Sequence, residues 1–234
     1  MELGSVSAAH GSVESGTMAG VGKCILVTGP PGVGKTTLIM RICENLKLSN
    51  PNIMLQGFYS QEIRQGGERV GFEVVTLDGR RARLASSTIS SPESRQWPAV
   101  GKYKVDIASF ESLVLPELKQ IREETGLFIV DEVGKMELFS SYFFPAILNI
   151  LQSNIPLLAT APIPKFGKDI PAVVRLKNHP GATIFTLDKS NRDAMKDRIY
   201  PQLAESKCEF MNYFQRIVEA YEAESWPYSL WQTN

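Results

Sequence analysis

Gly29-Pro30-Pro31-Gly32-Val33-Gly34-Lys35-Thr36 is the stretch on which the reading of this 234-residue chain turns. It fits the pattern G-x-x-x-x-G-K-[ST], and each fixed position has a physical reason. Glycines at 29, 32 and 34 let the backbone turn tightly and present N–H groups to an anion with no Cβ in the way. Lys35 supplies a full positive charge for β- and γ-phosphate oxygens, and the Thr36 hydroxyl suits a Mg²⁺ ion held by those phosphates. Pro30, Pro31, Val33 and Thr37 complete the expected nucleotide contact. Upstream, Lys23 to Thr28 reads KCILVT, a short apolar run suited to a buried parallel strand. Downstream, Ile39, Ile42, Cys43 and Leu46 recur at helical spacing, so the loop opens a helix over about 36–48. The partial positive end of that helix faces the same anion.

Such a cradle needs an acidic residue at the end of a neighbouring strand to hold the Mg²⁺ shell. The apolar run Leu127-Phe128-Ile129-Val130 ends in Asp131, which takes that role together with Thr36. Glu132 follows directly, and a carboxylate there is placed to polarise a water for in-line attack, an effect worth about 10²–10⁴ in rate. Gly134, closing the run Asp131-Glu132-Val133-Gly134, is assigned to the nucleotide site. A further strand, Pro156 to Thr160 (PLLAT), brings the Thr160 hydroxyl beside the γ-phosphate if it lies next to the other two. Phosphoryl transfer also gains from a cation near the transferred group. Arg64, Arg69, Lys135 and Arg192 are the candidates, with Arg192 preferred as the third catalytic residue beside Glu132 and Lys35. A solvated surface side chain is the ordinary alternative for each arginine. Arg80, Arg81 and Arg83 form a small basic cluster that reads as a solvated strand edge rather than a nucleic-acid groove.

Around these residues the chain alternates strand and helix. Residues 57–84 differ, with alternating apolar positions and turn signals at Gly66-Gly67 and Asp78-Gly79 that predict an antiparallel meander. Residues 85–100, rich in Ser and Pro, are expected as an exposed loop. Helices are expected over 109–124, with Pro116 as a kink or early boundary, over 140–152 and over 169–177; a strand is expected over 183–187. Ser190 and Asp193 suggest a capping box opening one more helix. The pattern implies a mainly parallel sheet covered on both faces, with an inserted antiparallel hairpin region at about 56–84.

Composition bounds the rest. The chain is 43% hydrophobic and 21% charged, with 25 basic against 25 acidic residues, as in an ordinary globular protein. Zero net charge argues against a protein devoted to gripping nucleic acid, and no apolar run approaches the ~18–20 residues needed to span a bilayer. Cys24, Cys43 and Cys208 show neither metal spacing nor a disulfide framework, which favours a reducing, cytoplasmic setting. Residues 1–21 have no Lys or Arg and are read as a disordered tail without a targeting signal. Residues 22–200 form the expected catalytic domain, and 201–234 a helical extension with an apolar stripe and an aromatic tail. Protein partners are not legible.

Taken together, GPPGVGKTTL, GFYSQEIRQGGERVGFEVVTLDG, VDEVGKMELFS and the Asn191-Arg192 pair resemble the cancer-related nucleoside-triphosphatase family, from about residue 22 to 200 and in the same order. The resemblance implies a three-layer αβα sandwich of the P-loop, RecA-like kind. It also implies slow, Mg²⁺-dependent hydrolysis of the γ-phosphate of several nucleoside triphosphates, with ATP, GTP, CTP and UTP as substrates. By motif it carries phosphate and metal binding onto Lys35, Thr36 and Asp131 and the catalytic carboxylate onto Glu132, while Lys135 and Glu137 receive no role. The chain departs from the family core at both ends and around 85–100.

Other functions fit the cradle less well. A nucleoside or nucleotide kinase would use the same loop, with the Arg64–Arg69 hairpin as a lid, but needs an acceptor pocket that the sequence does not reveal. A regulatory GTP switch would explain Asp131 to Gly134 as D-x-x-G, yet no N-K-x-D follows to read guanine. A nucleic-acid motor is disfavoured by neutral charge and by the lack of a second domain.

Overall fold

The computed structural model describes residues 23–203 apart from 123, 154, 165 and 166; the expected tail, the extension beyond 203 and Cys208 lie outside the described residues. Among the described residues nine strands form one sheet in the order β5-β6-β4-β3-β2-β7-β8-β1-β9. They are β1 (Cys24–Gly29), β2 (Met54–Gln65), β3 (Glu68–Thr76), β4 (Arg81–Ser86), β5 (Ala99–Val100), β6 (Tyr103–Val105), β7 (Thr125–Asp131), β8 (Leu157–Pro162) and β9 (Ala182–Thr186). From β2 to β9 every neighbouring pair is parallel. From β2 to β5 every pair is antiparallel. Thus β2 belongs to both halves, and the antiparallel strands extend the parallel sheet sideways.

Alternation along the central strands makes the three layers. Cys24, Leu26, Phe128, Val130, Leu157 and Ala159 enter one core, and Ile25, Val27, Leu127, Ile129 and Leu158 the other. Helices α2 (Ile107–Lys119), α3 (Phe143–Gln152) and α4 (Pro171–Lys177) cover the first face. The second is covered by α1 (Lys35–Ser49) through Leu38, Ile39, Ile42, Cys43 and Leu46, and by helical residues 195–203 through Met195, Ile199 and Leu203. On the first face Phe58, Phe110 and Phe143 meet edge to face, with centroids 5.4–6.0 Å apart. Buried Cys24 and Cys43 have their thiols pushed up to about 12 by desolvation, so neither is a ready nucleophile.

Several boundaries differ from expectation. The helix expected over 109–124 runs from Ile107 to Lys119, because Asp106 caps it by accepting from the Ser109 N–H at 3.0 Å. Pro116 lies inside its last turn. The helix expected from 140 begins at Phe143, after a short 3₁₀ turn over Glu137–Phe139. The segment 85–100 is not wholly loop: β4 continues to Ser86, residues Glu93–Gln96 form another 3₁₀ turn, and β5 adds an edge strand. No capping box forms at Ser190. Asp188 instead accepts from the Ser190 and Asn191 N–H groups, giving a turn, and the helix starts at residue 195. The basic cluster lies on an exposed stretch of strand edge, since β6 pairs with β4 only at Ala85 and Ser86 and leaves Arg81 and Arg83 with β3 on one side alone, and each arginine faces a carboxylate: Arg80 faces Glu117 and Asp78, Arg81 faces Glu73, and Arg83 faces Asp106. Among the described residues no helix is long and apolar enough to cross a membrane.

Candidate active site

The parallel strands β1, β8 and β7 lie side by side, so their carboxyl ends deliver the loop after Gly29, Thr160 and Asp131 to one edge of the sheet. Gly34 sits at φ 105°, a left-handed conformation that a side chain would strain, and caps the start of α1. Gly29 is needed for a different reason. A Cβ there would lie 2.8 Å from the Leu187 carbonyl oxygen, because the segment after β9 folds against the loop and Leu187 N–H donates to the Thr28 carbonyl at 2.7 Å. Pro30, Pro31, Gly32 and Thr37 are exposed, whereas Val33 anchors the loop in the core beneath α1.

The polar side chains meet around Asp131. Thr36 donates to its Oδ2 at 2.6 Å and Thr160 to its Oδ1 at 2.5 Å, while Ser60 on β2 donates to its backbone carbonyl at 2.9 Å. Asp131 is only 1% exposed, and burial pushes its carboxyl pKa up against the opposing pull of the two hydroxyls. Among the described residues no ion pair joins it to a cation, and the Lys35 charge acts on it without direct contact. A buried carboxylate beside a hydroxyl, both hard oxygen donors, is the chemistry that Mg²⁺ takes when phosphates complete its shell. Thr36 and Asp131 therefore fit the ion.

Lys35 is nearly buried, and its ammonium lies 3.0 Å from Glu132 Oε2 and donates to the Gly29 carbonyl at 3.3 Å. Glu132 is part-exposed, at the mouth of the site. Gly134 lies just beyond, its N–H donating to Glu137 Oε2 at 3.1 Å. Burial, reinforced by the nearby Glu132 charge, raises Glu137 to about 8. Sequence reasoning gave Glu137 no role and did not single out Ser60. The available signal was a lone carboxylate among Met136, Leu138 and Phe139, three residues after a glycine.

The expected cations are less closely gathered. Arg192 lies on the exposed turn after β9, on the P-loop side of the sheet, and its guanidinium makes no hydrogen bond or ion pair among the described residues. Arg64 and Arg69 pair with Glu62 on the β2–β3 hairpin, and Arg69 also donates to Tyr103. Lys135 is exposed. A cleft of about 740 Å³, lined by Glu93, Trp97, Pro98, Ile107 and Glu111, lies near the opposite sheet edge and contains none of these groups.

A family model described as NTPase matches residues 24–200. The chain is 42% identical over 174 residues to the cancer-related nucleoside-triphosphatase of Homo sapiens, covering 72% of this chain and 90% of that one. It is 41% identical over 175 residues to the nucleoside-triphosphatase THEP1 of Thermotoga petrophila, covering 75% and 89%. The solution structure of a human cancer-related nucleoside triphosphatase superposes with a TM-score of 0.68 at 40% identity, covering 79% of this chain and 98% of that one.

Proposed function

The chain belongs to the cancer-related nucleoside-triphosphatase family, and from that premise we propose that it hydrolyses the γ-phosphate of ATP, GTP and other nucleoside triphosphates, yielding the diphosphate and phosphate. The reading includes dependence on Mg²⁺, low base specificity and slow turnover. The observation that carries it is the convergence of Lys35, Thr36, Asp131 and Glu132 beyond the carboxyl ends of β1 and β7, the two strands that flank β8.

Each residue then has a task. The N–H groups of the loop 29–36 and the amino end of α1 hold the phosphate chain. An arriving γ-phosphate competes with Glu132 for the Lys35 ammonium, since one cation serves both. Glu132, released from that ion pair, orients a water and accepts its proton as oxygen attacks phosphorus. Mg²⁺, when bound, neutralises charge across the β- and γ-phosphates, with Thr36 and Asp131 as its protein side. Thr160 and Ser60 fix Asp131 through its carboxylate and its carbonyl. Arg192, on the turn after β9 next to β1, is the arginine assigned to the transferring group. Tolerance of the base follows from recognition that rests on phosphate and from relatives whose names specify nucleoside triphosphates rather than one base.

The test is phosphate release from ATP, GTP, CTP and UTP with and without Mg²⁺, each repeated with a panel of nucleosides and mononucleotides. Release from all four, dependent on Mg²⁺ and indifferent to acceptor, is expected. Phosphorylated acceptor with little free phosphate would instead identify a kinase.

A further inference from the structure

Glu137 is a buried carboxyl that this chemistry leaves without a task. It is 4% exposed, on the turn Glu137–Phe139, and it accepts from the Gly134 N–H. The Leu138 N–H in turn donates to the Gly134 carbonyl at 3.1 Å, so the N–H of Gly134 is tied to Glu137 and its carbonyl to Leu138. Space around Gly134 is equally restricted. A Cβ there would sit 2.8 Å from Glu132 Oε1 and 2.8 Å from Glu137 Oε2. The carboxyl groups of Glu132 and Glu137 therefore pack against one Cα, and a side chain at 134 would displace one or both of them. Burial holds the Glu137 carboxyl well above the usual carboxylate range, which favours its neutral form beside the Glu132 charge.

We propose that Glu137 is a positioning residue for Glu132: by pinning Gly134 and packing against the same Cα, it holds the Glu132 carboxylate on the Lys35 side of the site. The inference rests on the assignment of Glu132 as the group that orients water. A base carried on the loop between β7 and the turn Glu137–Phe139 would otherwise sample several directions, and a displacement of about 1 Å costs up to about 10²-fold in rate.

The experiment measures kcat and KM for ATP by phosphate release, and affinity for a non-hydrolysable ATP analogue, in the full chain and in Glu137→Ala, Glu137→Gln, Gly134→Ala and Glu132→Gln. In Glu137→Ala, kcat is expected to fall about 10- to 100-fold with analogue affinity within twofold of the original, and Gly134→Ala is expected to lower kcat to a similar degree. Glu137→Gln keeps an oxygen for the Gly134 N–H and should recover most of the loss. The proposal is overturned if Glu137→Ala keeps kcat within twofold, if it loses kcat and analogue affinity in equal proportion, or if the Gln variant is as slow as the Ala variant. Should Glu137→Ala fail to fold, a normal kcat in Gly134→Ala overturns it. Normal turnover in Glu132→Gln would remove the base assignment and the positioning role with it; a slow Glu132→Gln beside a normal Glu137→Ala would remove the positioning role alone.

Discussion

Lys35 and Glu132 meet at 3.0 Å at the mouth of the site, and that contact joins the two halves of the proposed chemistry. Lys35→Ala removes the phosphate-facing charge and leaves Glu132 without its cation, so nucleotide binding or turnover should be abolished, as measured by titration with a fluorescent ATP analogue. A second prediction concerns pH. Glu137 is raised from its ordinary 4.5 to about 8, so between those values the folded chain keeps a proton that the unfolded chain releases. Its contribution to stability is full below about pH 4.5 and is lost as pH rises through 8. Thermal melts from pH 5 to 8 should therefore show a shallower decline in Glu137→Gln than in the parent chain, and equal slopes would contradict the assignment. The residues of the cradle were legible because their spacing answers directly to phosphate geometry. Glu137 was not, because its partner Gly134 and its burial appear only when the turn folds back on the end of β7.

At the level of elements, the loop between β1 and α1 is fixed by local chemistry, and the expected boundaries there hold to within about a residue. The antiparallel edge is different. β5 has two residues and β6 three, too few for any alternation to show, and their pairing depends on Ala85 and Ser86 finding Val105 and Lys104 across the sheet. The start of α2 was misplaced because Asp106 acts through its side chain before the first helical residue. Asp106→Ala should cost about 1 kcal/mol of stability through the lost cap, read from urea denaturation, with nucleotide affinity unchanged. An unaltered midpoint would show that the cap is replaced by another acceptor.

Across the whole molecule, one sheet carries the P-loop and α1 on one face and the Phe58–Phe110–Phe143 cluster on the other. The layering was legible in the apolar runs; the joining of the antiparallel strands to the parallel sheet through β2 was not, because a strand's second neighbour leaves no local mark in its sequence. Phe143→Ala opens a cavity in a fully buried aromatic cluster and should cost about 3–5 kcal/mol, measured by denaturant unfolding. The claim on which the functional account depends most is that Glu132 acts on water rather than on nucleotide binding. Its most direct test is single-turnover hydrolysis of bound Mg²⁺·ATP by Glu132→Gln, with affinity measured on the same protein. Affinity within a few-fold of the parent chain and a hydrolysis rate at least about 10²-fold lower is the expected result. Hydrolysis at the parent rate, or a loss explained entirely by weaker binding, would contradict it.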